Sequence, residues 1–116
     1  MKLIIAGSRT LNPSVKDIGE QVSKFYIGIT EVVSGGADGV DSCGEEYALA
    51  ADQPLKIFKA DWSKYGKAAG PIRNKQMAEY ADALLLIWDG KSKGSANMKQ
   101  NMEDLGKKVY EIIIIS

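Results

Sequence analysis

The sequence has no histidine and a single cysteine, Cys43, among its 116 residues. Without histidine there is no His-based triad and no histidine-ligated metal. Without a second cysteine there is no internal disulfide and no thiolate zinc cluster, so no metal site is expected. Net charge is absent as well: 15 Lys and Arg cancel 15 Asp and Glu. That balance argues against non-specific nucleic-acid binding as the main task. No apolar run reaches membrane-spanning length, and Met1-Lys2-Leu3-Ile4-Ile5-Ala6 is too short for a signal peptide. A cytoplasmic protein without membrane contact is expected. The length suits one core and not two, so residues 1–116 read as a single domain, without repeats, linkers or low-complexity segments.

What is present is a regular alternation. Leu3-Ile4-Ile5-Ala6, the run through Val32-Val33, Leu55-Lys56-Ile57-Phe58, Ala83-Leu84-Leu85-Leu86-Ile87-Trp88 and Val109 to Ile115 have the short apolar character of buried strands. The fourth is the most apolar and is placed centrally. Between them lie four helical patterns. The first follows Asn12 as N-cap and Pro13 as first helical residue, with Val15, Ile18, Val22 and Phe25 on one face. The second places Val40, Cys43, Tyr47, Ala48 and Ala51 at helical spacing, with Cys43 a small buried hydrophobe. Pro71 starts the third, with Ile72, Gln76 or Met77, and Tyr80 inward and Arg73 and Asn74 in its first turn. Gly94-Ser95-Ala96-Asn97 opens the fourth, with Met98, Met102 and Leu105 inward and Gly106 as its stop. Strands alternating with helices predict an α/β fold: a doubly wound, Rossmann-like, five-stranded parallel sheet with helices on both faces.

In such sheets ligands sit beyond the carboxyl ends of the strands, where strand order reverses. Gly7, Gly35-Gly36 and Gly90 to Gly94 all follow strand ends, so three glycine turns converge on one edge. A strand, a glycine turn and a helix start bring unpaired N–H groups and the positive helix end toward an anion. Gly36 is read as the point of close approach to a phosphate. Residues 56–99 carry nine Lys and Arg against four Asp and Glu. A locally basic segment in a neutral chain suits a small anionic ligand better than a long polyanion.

Gly7-Ser8-Arg9, Ser34-Gly35-Gly36-Ala37-Asp38-Gly39-Val40-Asp41, and Ala60-Asp61-Trp62 through Ala69-Gly70-Pro71-Ile72-Arg73-Asn74 resemble the small YspA-like branch of the SLOG superfamily. The same superfamily includes the LOG phosphoribohydrolases and the DNA-processing protein DprA. The resemblance implies a Rossmann-like domain with a site for nucleotides or nucleotide-derived ligands, and assembly as a homodimer, here expected through helix faces. LOG enzymes carry a last motif, Pro-Gly-Gly-x-Gly-Thr-x-x-Glu, whose glutamate works in cleaving the N-glycosidic bond. Aligning Gly94-Ser95 on its Gly-Thr pair puts Met98 at the glutamate position. A thioether cannot transfer a proton, which favours binding over the LOG reaction unless Asp38, Asp41 or Asp89 supplies the carboxylate.

The candidate ligand-binding residues are Gly7, Ser8, Arg9, Gly35, Gly36, Asp38, Asp41, Arg73, Asn74, Gly90, Gly94, Ser95 and Asn97. Arg9 suits bidentate contact with a phosphate or a surface salt bridge. Arg73, a cation opposing the dipole of a first turn, implies an anion nearby; Asn74 orients the same group or caps the helix. Asp38 and Asp41 are helix N-terminal residues, or Asp41 holds a ribose hydroxyl. Ser95 and Asn97 suit a second phosphate or a sugar, or capping. Trp62 and Tyr65 anchor their long loop on the core or stack on a base. No catalytic residue is assigned. A small nucleotide-like anion is the expected partner, with a nucleotide N-glycosidase and a DprA-like nucleic-acid module as alternatives.

Overall fold

A computed structural model of the chain describes residues 1–114. Side chains of a strand alternate between its faces, and β1 (Lys2–Gly7) uses both: Leu3 and Ile5 enter one core, Ile4 and Ala6 the other. β2 (Glu31–Ser34), β3 (Leu55–Ile57), β4 (Ala83–Trp88) and β5 (Lys108–Ile113) run parallel to it in the order β3-β2-β1-β4-β5. The five-stranded doubly wound sheet predicted from the alternation is therefore present. β1 occupies the middle, and β4, buried along its whole length, lies beside it. Ile115, the expected end of the last strand, lies outside the described residues.

α1 (Val15–Lys24) and α2 (Val40–Ala50) cover one face with Ile18, Val22, Val40, Cys43 and Ala48. α4 (Ala69–Tyr80) and α5 (Lys93–Asp104) cover the other with Met77, Ala78, Met98 and Met102. α3 (Trp62–Tyr65) and a 3-10 turn at Gly66–Ala68 occupy the β3–α4 connection.

Several boundaries differ from the sequence expectations. α1 begins after Ser14, not Asn12, because Ser14 and Asp17 form a reciprocal capping box: Ser14 Oγ accepts from Asp17 N (3.0 Å) and Asp17 Oδ2 from Ser14 N (3.2 Å). A fifth helix, α3, appears because Asp61 caps it, its Oδ1 accepting from Lys64 N at 3.1 Å. α4 begins at Ala69, so Pro71 is its third residue; first-turn N–H groups have no helical partner, and a proline there loses nothing. Arg73 and Asn74 thus stand in the second turn, and the expected clash of Arg73 with a first-turn dipole does not arise. α5 starts one residue before Gly94, capped by Ser92, and Leu105 is exposed at its C-cap rather than inward.

Candidate functional site

Strand order reverses between β1 and β4, since α1 and α2 pack on one face and α4 and α5 on the other. Close packing at this point depends on Gly7: a Cβ there would lie 1.7 Å from the Ile87 carbonyl oxygen of β4. Beyond it opens an inner cavity of about 60 Å³ lined by Gly7, Arg9, Asp41, Arg73, Asn74 and Ser95, with Met98 at its wall. A water needs ~10–15 Å³, so the cavity has room for a few waters or one phosphoryl group. An outer cleft of about 310 Å³ continues past Arg9 and Arg73 to Gly35, Gly36, Asp38, Lys59 and Trp62.

Arg73 joins the elements around these spaces. Its Nη1 donates to the Gly35 carbonyl at 2.6 Å and its Nε to Asn74 Oδ1 at 3.0 Å. Asn74 Nδ2 in turn donates to Asn97 Oδ1 at 3.0 Å and to the Gly94 carbonyl at 3.3 Å. One network therefore links the β2–α2 turn, α4 and the start of α5. A guanidinium has five N–H donors, and this network uses two of them, fixing the fork in place. Burial lowers the guanidinium pKa from its usual value; Asp41 opposes the shift and Arg9 adds to it.

Asp41, only 6% exposed, is the buried acid of the inner cavity. Burial pushes its carboxyl up from the usual range, against the Ala37 N–H, the Arg73 charge and the Gly7 N–H, while Glu45 adds to the rise. Asp89 is different. It accepts from Lys91 N (2.8 Å) and Ser92 N (3.0 Å), which hold its carboxyl below the usual range and shape the turn into α5. Asp38 is exposed at the rim of the outer cleft.

The other candidates separate by position. Gly94 and Ser95 line the inner cavity, and Ser95 is buried. The N–H groups of Lys93 and Gly94, in the first turn of α5, lack intrahelical partners. Ser8 does not face either space; its Oγ accepts from Asp89 N at 3.1 Å and its carbonyl from Val40 N at 3.2 Å, tying three turns together. Asn97 acts behind Asn74, and Gly90 lies outside the lining, its glycine suited to a φ of +80°. Gly35 is packed against the charged groups of the site: a Cβ there would lie 2.8 Å from Asp41 Oδ2 and 3.0 Å from Arg73 Nη1. Gly36, the expected point of approach to a phosphate, has a φ of +70°, and a Cβ there would lie 3.2 Å from Ile57 Cγ2. Sequence reasoning missed Lys59, Ala37 and Ser92 as lining residues. It also missed Gly39, the third glycine of its run, where a Cβ would meet the Ser8 carbonyl at 2.4 Å. Trp62 and Tyr65, 53% and 39% exposed, do not anchor their segment in the core. Among the described residues no helix is long and apolar enough to cross a membrane, and no group of three His, Cys, Asp or Glu is placed to hold a metal ion.

These features define the class of the domain: a Rossmann-like α/β fold of the kind found in DNA processing protein A. The X-ray structure of that protein from Streptococcus pneumoniae superposes with a TM-score of 0.72 over 93% of this chain, at 18% sequence identity. The chain spans about half (48%) of the length of that structure. Among curated proteins, the Gene 61 protein of Mycobacterium phage D29 is 29% identical over 114 residues, covering 90% of each chain. No family profile matches the sequence.

Proposed function

We propose that this chain is a cytoplasmic nucleotide-binding domain of the SLOG type, close to its YspA-like branch. The observation that carries the reading is the placement of Arg73. Its fork is fixed by two protein acceptors at the strand-order reversal, and the side chain lines both the inner cavity and the outer cleft. A phosphoryl group in the inner cavity meets Arg73 and Arg9 as charged donors and the first turn of α5 as a source of free N–H groups. Ser95 supplies a hydroxyl, and Asn74 is held in register by Asn97 and the Gly94 carbonyl. The sugar and base then extend into the outer cleft, where Gly36 leaves the turn open and Trp62 offers an aromatic face.

The Asp41 carboxyl, pushed up by burial, favours a second reading. Of Asp38, Asp41 and Asp89, Asp41 alone combines burial, a place in the inner cavity beside Met98 and a raised pKa. Those are the attributes of a general acid in N-glycoside cleavage.

One experiment separates the two. A panel of nucleoside monophosphates is expected to raise the melting temperature of the protein, and the same mixtures analysed by chromatography are expected to contain no free base. Release of base in proportion to protein, abolished in Asp41→Asn, would replace the binding reading with the hydrolytic one. No shift with any member of the panel would remove both.

A further inference from the structure

The fold leaves two aromatic rings exposed, Trp62 and Tyr65, at opposite ends of the four-residue helix α3. Neither contributes to either core cluster. Trp62 nonetheless lies beside α4, where a Cβ on Gly70 would be 3.4 Å from the edge of the indole. It lines the outer cleft together with Lys59 and Arg73. Tyr65 lines a third cleft, of about 220 Å³, whose wall includes the same Lys59 and Arg73. Lys64 and Gln76 complete that cleft, with the Lys64 ammonium 5.0 Å from the centre of the Tyr65 ring. The acid of this cleft, Asp61, already accepts from Ser63 Oγ (2.8 Å) and Lys64 N (3.1 Å). Two clefts, each with one aromatic ring, therefore meet along a shared pair of cations.

We propose that this surface binds two bases joined by a phosphodiester, one base against Trp62, the next against Tyr65, and the bridging phosphate on Lys59 and Arg73. The inference rests on the nucleotide-binding reading of the Arg73 site and names its ligand more closely. A mononucleotide fills the inner cavity and outer cleft and leaves Tyr65, Lys64 and Gln76 without a role. Aromatic faces stack on any base, and a phosphodiester needs cations within reach of both platforms; Lys59 and Arg73 line both clefts. The cations also belong to the segment in which nine Lys and Arg face four Asp and Glu. The same chemistry occurs in a free dinucleotide and within a single strand, and length dependence distinguishes the two.

The test is calorimetric titration of the full chain with dAMP, pd(A)₂ and d(A)₁₂, in the wild type, Tyr65→Ser and Tyr65→Phe. The dinucleotide is expected to bind about tenfold tighter than dAMP, in line with one added base stack. That gain is lost in Tyr65→Ser and kept in Tyr65→Phe, while dAMP binds all three proteins alike. Equal affinity of d(A)₁₂ and pd(A)₂, after allowance for overlapping sites, assigns the surface to free dinucleotides; a further rise assigns it to a single strand. Equal binding of dAMP and pd(A)₂ by the wild type, or a gain that persists in Tyr65→Ser, overturns this inference and leaves the mononucleotide reading standing. Absence of binding by every probe overturns both.

Discussion

Replacing Gly35 with alanine places one methyl group between the two charged groups of the site. Its Cβ would lie 2.8 Å from Asp41 Oδ2, 3.0 Å from Arg73 Nη1 and 3.1 Å from Arg73 Cζ. Gly35 is not among the glycines with positive φ, so the cost comes from contacts and not from backbone strain. If Arg73 stays, the site is overpacked, at about 1–3 kcal/mol. If it withdraws, it gives up a charged hydrogen bond to the Gly35 carbonyl, at about 1.5–3 kcal/mol. Either route predicts a loss of about 1–3 kcal/mol, or roughly 4–12 °C in melting temperature for a chain of this size. The decisive comparison is a double-mutant cycle. In an Arg73→Ala background two of the three close contacts vanish, and Gly35→Ala is expected to cost at least about 1 kcal/mol less than in the wild type, within the usual range for coupled neighbours. Urea unfolding of the four proteins measures this. Additivity within about 0.5 kcal/mol would refute the claim that Gly35 is glycine because Arg73 needs the space.

Lys107 gives a prediction away from the site: its Nζ donates to the carbonyls of Ala78 (2.7 Å), Glu79 (3.1 Å) and Ala81 (2.7 Å), closing the C-terminal end of α4. Lys107→Ala is expected to lower stability by about 1–2 kcal/mol in thermal melts while nucleotide-induced shifts persist. Asp41 predicts a pH dependence of defined sign. Its folded-state pKa is raised by burial, so the native chain holds that proton more tightly than the unfolded one, and ionisation costs stability as pH climbs from the ordinary aspartate value through the folded pKa. Asp41→Asn is therefore expected to melt above the wild type at neutral pH, the difference shrinking toward pH 4; a variant less stable at neutral pH would contradict the assignment.

The sheet was legible because short apolar runs alternate with four helical patterns. Leu3-Ile4-Ile5-Ala6 and Ala83 to Trp88 are apolar at every position, as strands covered on both faces must be. The glycine turns were legible because strand, glycine and helix start appear in that order three times. Helix starts were less so. Asn12-Pro13 and Ser14 with Asp17 are competing local signals, and only the reciprocal pair satisfies two backbone donors. The candidate residues fall at one edge of the sheet, as the order of strand, glycine and helix implies, but the contacts among them were not legible. Arg73, Asn74 and Asp41 come from different elements, and the network joining Arg73 to Gly35, 38 positions earlier, leaves no periodic trace. The distinction between Gly35, Gly36 and Gly39 also depends on tertiary neighbours. One lacks a side chain where the Asp41 carboxylate and the Arg73 guanidinium close in, one has a positive φ, and one has both a positive φ and the Ser8 carbonyl against it. Nothing in a string of adjacent glycines separates these reasons.

The central claim is that Arg73 holds the phosphoryl group of a nucleotide, and calorimetric titration of the wild type and Arg73→Ala with a nucleoside monophosphate tests it most directly. Charged hydrogen bonds of about 1.5–3 kcal/mol predict an affinity weaker by roughly one to two decades in the variant, with a melting curve that still reports a folded protein. An unchanged affinity in a folded Arg73→Ala protein would contradict the account.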